Sequence, residues 1–357
     1  MSLGKTVLEL KPSQKNPRNS EGAFAVLSDG RLMFLYTHFT GGRGDHDPAL
    51  LAARYSSDGG CTWTKKDRVV LKNEARSNIM SVSLLRLQCG ELAMFYLRKN
   101  SICDCRPHVR FSRDDGETWS AARPVVRAPG YFILNNDRVI QLRNGRLIAP
   151  TAYHRNIPAH SGKGFEIDAR AIALWNLSDD DGKTWRESEV WRALPADSRS
   201  GLQEPGVVEL ADGRIFSWAR TTTGCQWGMY SYDNGVTWTE PAPTEFRSPC
   251  SPMSVKSIPG TEHLLAVWND HSGRFPIVGE KPIFGPRRPL ALAISRDNGM
   301  TWMNHLVVEN DPTRCYCYTA ICFPDDKYAL LAYGAGKNGH CLGHLRIKRI
   351  PIAAFYR

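Results

Sequence analysis

The chain has 357 residues, 42% apolar and 23% charged, the balance of a soluble globular protein long enough for a sizeable core, which excludes a disordered chain. Its formal net charge of +10 points to an anionic partner. Because no run of consecutive Lys or Arg exceeds two residues and no aromatic-and-basic pattern of a nucleic-acid module is present, that partner is a small acidic ligand rather than nucleic acid.

No stretch approaches the ~18 apolar residues of a membrane-spanning helix, and the N-terminus lacks the apolar core of a signal peptide. The ten cysteines show no paired CxxC spacing of a zinc site. Most read as buried thiols, which favours a reducing, cytoplasmic compartment over an oxidising one. Nothing calls for a metal or another cofactor. Compartment and oligomeric state stay open.

Taken in order, the chain alternates two repeated signals. The first is an apolar strand, a turn rich in Gly and Asp, and a second apolar strand: residues 22–27 and 32–36, 81–87 and 92–97, 138–142 and 147–149, 205–210 and 215–219, 254–258 and 263–268, and 320–323 and 328–333. Each is a β-hairpin by its turn chemistry. The second signal is the octet S-x-D-x-G-x-T-W at residues 56–63, 112–119, 178–185, 231–238 and 295–302. Its Asp accepts hydrogen bonds from its own turn, its Gly supplies a positive φ, and its Trp covers the corner, so the octet is scaffold.

Six hairpins, with an octet after each of the first five, define six units of about sixty residues in one array. A hairpin, a strand, an octet turn and a further strand make a four-stranded antiparallel blade, and the expected fold is an all-β, six-bladed β-propeller spanning residues 1–357 as one domain. The segment around residues 344–350 or residues 6–10 supplies the strand that joins the chain ends. Helix is scarce. The one helix-compatible tract, residues 158–169, is argued against by Gly162 and Gly164.

In a propeller the residues that enter the innermost strands and leave the next ones gather at one mouth of the central channel. Here those positions carry Arg18, Asn136, His154, Glu204, Arg220 and Tyr318, which asks for a polar pocket. The octets and the count of units resemble the sialidase superfamily over essentially the whole chain. More specific is Glu204-Pro205-Gly206-Val207-Val208-Glu209-Leu210-Ala211-Asp212-Gly213-Arg214 running on to Arg220, which is similar to the sialidase segment in which a Glu precedes a "VEL-x-DG" hairpin ending in Arg. Arg18, the pair Arg287-Arg288, and Tyr318-Thr319-Ala320-Ile321 follow in the family's order.

The resemblance implies a retaining exo-sialidase that releases a terminal sialic (nonulosonic) acid from glycans. Arg18, Arg220 and Arg287 would grip the sugar carboxylate with bidentate, charge-assisted hydrogen bonds, with Arg288 the alternative to Arg287. Tyr318 would be the nucleophile and Glu204 its base, with Tyr316 as substitute on the same strand. The acid/base carboxylate would come from the loop of residues 41–48. Asp45 is favoured there and Asp47 is the alternative. Asn136 and His154 are substrate contacts. The segment Asn16-Pro17-Arg18-Asn19-Ser20 lacks the Arg-Ile-Pro of typical sialidases, which keeps open a non-sialidase propeller, either a carbohydrate-binding module or a glycosidase of other specificity.

Overall fold

The computed structural model describes residues 3–277 and 286–357. The chain is all-β, with a single short 3-10 helix at Ile352–Tyr356 among these residues. Its first sheet is Asn19–Val26, Leu32–Phe39, Ala49–Ser56 and Arg68–Leu71, in chain order and antiparallel. Two further four-stranded sheets begin at Gln203–Glu209 and Ser254–Ser257. Between the first sheet and the one beginning at Gln203 lies a nine-stranded sheet whose two antiparallel halves meet at a single parallel pairing of Tyr131 with Cys105.

The last sheet answers the question of how the chain ends meet. Its order runs from Cys317–Cys322 through Tyr328–Gly334 and Leu345–Pro351 to Lys5–Leu10, so both expected closing segments are used, side by side. Arg346 fastens this junction. Its guanidinium donates to Glu9 Oε1 at 3.1 and 2.8 Å and to Glu309 Oε1 at 2.7 Å, joining the N-terminal strand to the preceding sheet.

Six apolar clusters fill the spaces between neighbouring units. The first sheet packs Ala23, Met33 and Leu35 on Ile79 and Met94 of the next. Its other face packs Phe24 and Phe34 on Leu330 and Ile347 of the last sheet. Strands covered on both faces lose the in-out alternation, which is why the Asn19–Val26 strand is buried along nearly its whole length.

The five octets share one geometry at the outer corners of the sheets. In the first, Asp58 Oδ1 accepts from the Thr62 amide at 2.8 Å, Oδ2 from the Thr62 hydroxyl at 2.6 Å, and Ser56 Oγ from the Gly60 amide at 2.9 Å. The octet also fastens one unit to the one before it. At Gly60 (φ +82) an added Cβ would lie 2.7 Å from Leu330 of the last sheet, and Gly116 similarly meets Met33 of the first.

A second repeated device sits at the inner strands. Glu21, Ser81, Asp137, Glu204 and Tyr318 all adopt φ between 48 and 59°, a left-handed conformation that costs non-glycine residues roughly 1 kcal/mol or more each. At four of them the pairing register slips, between Ser20 and Ala23, Met80 and Ser83, Gln203 and Gly206, and Cys317 and Ala320. Such bulges bend a strand and re-aim a side chain.

Two expectations are corrected, and residues 158–169 form no helix, as expected. The first strand of the third hairpin is not residues 138–142. It is split into Tyr131–Ile133 and Ile140–Gln141, both paired with Leu147–His154, because residues 135–137 turn inward to hydrogen-bond across the centre. The tract 158–169 holds a two-stranded ribbon, Asn156–Pro158 with Phe165–Ile167. Finally, Cys315 and Cys341 form a disulfide with Cα atoms 5.2 Å apart, and of the free cysteines Cys61, Cys89 and Cys103 are exposed. Sequence separation had hidden the pair, which faces across the connection from residue 334 to 345.

Two outcomes test this account. Arg346→Met should lower stability to chemical denaturation by about 2 kcal/mol, since it removes the cation that Glu9 and Glu309 share and leaves Glu9 to Lys11 and His344, and Glu309 to Tyr333 and Lys348; unchanged stability contradicts the fastening role. Alkylation of denatured, unreduced protein should label eight of the ten cysteines, and labelling of all ten contradicts the disulfide.

Candidate active site

Tyr318 is the centre of the site. Its bulge turns the ring toward the inner strand of the sheet beginning at Gln203, where the hydroxyl donates to Glu204 Oε1 at 3.0 Å. Glu204, itself a bulge residue, also accepts at Oε1 from Arg220 Nη2 at 3.0 Å and at Oε2 from Asn135 at 3.4 Å. Thus one carboxylate oxygen joins the phenol and an arginine, and the carboxylate and the arginine are both supplied by the Glu204 to Arg220 hairpin that the sequence singled out.

Arg220 and Arg287 flank the same ring, with guanidinium carbons 6.0 and 5.5 Å from its centroid. Nε and Nη1 of Arg220 are buried without any partner, so two of its donor groups face a place where an acceptor belongs. Arg287 donates to Cys317 Sγ at 3.2 Å. Arg18 lies over the Phe39 ring at 4.3 Å and donates to Ser20 Oγ (3.1 Å), Glu21 (2.9 Å), the Arg43 carbonyl (3.1 Å) and Asp45 Oδ1 (2.6 Å). Tyr318 is an electrostatic neighbour of Arg18, Arg220 and Arg287 alike.

Burial dominates the protonation chemistry. It holds the Tyr318 phenol well above its usual range; Arg220 and Arg287 pull it down and Glu204 pushes it up. The phenol is therefore protonated at neutral pH and must lose its proton to a neighbour before it can attack anything. Desolvation likewise raises the Glu21 carboxyl, against the pull of Arg18. Asp45 behaves oppositely: burial would raise it, but Arg18 and then Lys99 hold it below the normal carboxylate range.

The loop carrying Asp45 is pinned by its backbone. Asn78 Nδ2 donates to the carbonyls of Asp45 and Asp47 at 2.9 and 2.8 Å, and Lys99 Nζ to that of Asp45 at 3.3 Å. The Asp45 side chain is nevertheless 63% exposed, free to turn between Arg18 and the solvent side.

Several expected residues fall elsewhere. Asp47 closes its own turn, accepting from the Gly44 amide at 2.7 Å, and reaches no arginine of the site. Asn136 faces backbone, donating to the carbonyls of Gly22 (2.9 Å) and Tyr318 (3.3 Å). His154 pairs Nδ1 with the Asp168 carbonyl at 2.9 Å and its ring with Tyr131 at 6.1 Å, a buried wall residue whose pKa desolvation lowers. Arg288 reaches away from the phenol, to the Arg314 carbonyl (3.4 Å) and Asn338 (3.0 Å). Tyr316 packs on Tyr333 with its hydroxyl buried in an apolar cluster, because the bulge at Tyr318 breaks the two-residue alternation that would have put both rings on one face.

Glu21 and Lys99 were not singled out for roles in the site. Glu21 had a signal, since it precedes Leu27 of its turn by the same six residues that separate Glu204 from Leu210. Lys99, buried within 5.7 Å of the Tyr131 ring centroid, had the signal of its place where the chain leaves the second hairpin. Among the described residues no group of three or more His, Cys, Asp or Glu is arranged to hold a metal ion, and no helix is long and apolar enough to cross a membrane.

The chain is an all-β array of octet-bearing sheets with arginines gathered around a tyrosine–glutamate pair. Residues 30–329 match the family model described as a BNR repeat-like domain, and the chain belongs to that family and to the sialidase superfamily. A sialidase from Micromonospora viridifaciens is 27% identical over 217 residues, which cover 54% of this chain but only 31% of that protein. This chain therefore spans about a third of that relative. Among solved structures, a Hadza microbial sialidase superposes with a TM-score of 0.71 at 19% identity, covering 95% of this chain and 67% of the other. The intramolecular trans-sialidase from Ruminococcus gnavus superposes with a TM-score of 0.71 at 16% identity, covering 98% and 97%. At these identities the structural likeness is one of fold.

The arrangement makes one consequence measurable without a substrate. Arg288 braces the segment facing the disulfide, whereas Arg287 faces the phenol. Arg287→Ala should therefore change stability little, and Arg288→Ala, which empties a side chain only 1% exposed, should destabilise the fold by about 2 kcal/mol or more. Thermal unfolding separates the two, and the reverse pattern contradicts the assignment.

Proposed function

We propose that this chain is an exo-acting glycosidase that releases a terminal sialic or related nonulosonic acid from a glycan with retention of configuration. The observation that carries the reading is the hydrogen-bonded set Tyr318, Glu204 and Arg220, in which a phenol sits 3.0 Å from a carboxylate and the arginine keeps two buried donor groups without partners. The similarity to sialidases supports the substrate class. The nine-stranded sheet reads as two blades fused at the Tyr131–Cys105 pairing, which would make the chain a single domain of six blades over residues 1–357.

In this reading the sugar carboxylate is held by Arg18, Arg220 and Arg287, completing the donors that Arg220 leaves unmatched. A sugar whose anomeric carbon bears a carboxylate repels an anionic nucleophile, which favours a neutral phenol activated at the moment of attack. Glu204 takes the phenolic proton as Tyr318 Oη bonds to the anomeric carbon. The glycosidic bond breaks toward the leaving oxygen, which takes a proton from Asp45. Water then attacks the same carbon, giving its proton to Asp45, while Tyr318 leaves and recovers its proton from Glu204.

Asp45 needs help to act as an acid, because Arg18 holds its carboxyl low. The arriving sugar carboxylate competes for Arg18. Displaced from it, Asp45 loses its strongest stabilising charge and its pKa rises, so that the acid is prepared by binding of the substrate.

A fluorogenic sialoside assayed from about pH 4 to 8 tests the proposal around the carboxylate and His range. Wild type should turn it over. Tyr318→Phe and Arg220→Ala should each cost at least ~10²-fold in kcat/KM. Asp45→Asn should cost ~10²-fold or more with a poor leaving group and much less with an activated one. A folded wild type without turnover at any of these pH values overturns the sialidase reading and leaves carbohydrate binding or another glycosidic specificity.

A further inference from the structure

The strand that carries Tyr318 has a free edge toward the centre of the molecule, where backbone groups have no strand to pair with. Three consecutive residues of the third unit reach across to it. Asn136 Nδ2 donates to the Tyr318 carbonyl at 3.3 Å, and Asp137 Oδ2 accepts from the Ile321 amide at 2.9 Å. Arg138 donates to Ser254 Oγ at 3.1 Å, and that hydroxyl donates to the Thr319 carbonyl at 2.5 Å. Lys256 completes the set, donating to both Asp137 oxygens at 2.8 and 2.9 Å and to the Ile321 carbonyl at 2.6 Å.

Four peptide groups of residues 318–321 are thereby held from outside their own sheet, immediately after a residue whose φ of 59° would otherwise relax toward the extended region. The Asp137 carboxyl and the Arg138 guanidinium are nearly inaccessible; Arg138 feels the charges of Glu204 and Arg220, but its hydrogen bonds go to Ser254 and Met253. They hold the strand that presents the site without lining it.

We infer that Asn136, Asp137, Arg138, Ser254 and Lys256 form a positioning set that fixes the Tyr318 hydroxyl on Glu204, and that Asp137 with Lys256 is its central coupling. The inference rests on Tyr318 being the nucleophile. A merely structural brace would change stability and leave turnover per folded molecule alone. A positioning set changes kcat while the carboxylate-binding arginines stay in place and KM holds.

The test is steady-state kinetics with the fluorogenic sialoside on full-length Asp137→Asn, Lys256→Met, the double variant and Lys256→Arg. Tyr318→Phe serves as the control for the reading beneath. The single variants should lose about 10²-fold in kcat with KM changed less than about threefold, as expected for a reacting group displaced by about 1 Å. The double variant should be no worse than either single one, and Lys256→Arg should recover most of the loss. Wild-type kcat in folded Asp137→Asn and Lys256→Met overturns the inference, as does an additive double variant. If Lys256→Met does not fold, Asp137→Asn and Ser254→Ala carry the same comparison. If Tyr318→Phe keeps wild-type turnover, the nucleophile assignment fails instead. A crystal structure of Asp137→Asn reads the inference independently of turnover: Tyr318 Oη should leave Glu204, and an unchanged 3.0 Å contact contradicts it.

Discussion

The left-handed bulge in the innermost strands is the constraint on which the site depends. A regular strand would point alternate side chains into the packed faces between sheets, where the clusters are almost wholly apolar. By slipping one register at Glu21, Ser81, Glu204 and Tyr318, the chain takes these side chains out of that alternation and turns them to polar partners. Each such residue carries backbone strain. The scaffold that tolerates it is the array of sheets closed by the Lys5–Leu10 strand and fastened by Arg346.

The electrostatics follow from the same geometry. Glu21 and Glu204, equivalent in their units, each meet an arginine, Arg18 at 2.9 Å and Arg220 at 3.0 Å. Glu21 is committed to Arg18 and Ser81 and is raised by burial; Glu204 instead receives the Tyr318 hydroxyl. Equivalent positions thus hold a carboxylate that orients a cation and one that accepts from a phenol.

Much of the architecture was legible because it repeats. The octet marks the third-to-fourth strand corner of each unit it occurs in, and the hairpins are announced by their turn residues, so strand order and the equivalence of Glu204 with a strand end could be read directly. What could not be read depends on contacts distant in sequence. The choice of Arg287 over Arg288 is made by which of two adjacent side chains faces the phenol. Asn136, expected at the ligand, serves a carbonyl 182 positions away. Tyr316 was placed beside Tyr318 by simple alternation, which the bulge cancels. The Cys315–Cys341 pair is set by the folding back of a connection that carries no motif.

The central claim is that Tyr318, activated by Glu204, bonds covalently to the sugar. The most direct measurement uses a fluorinated sialosyl fluoride, whose ring fluorine slows breakdown of the covalent intermediate, followed by peptide mass spectrometry. The account predicts time-dependent inactivation with the adduct on the peptide bearing Tyr318. An adduct on Asp45 or Glu204, or turnover of the reagent with no covalent species, would contradict it.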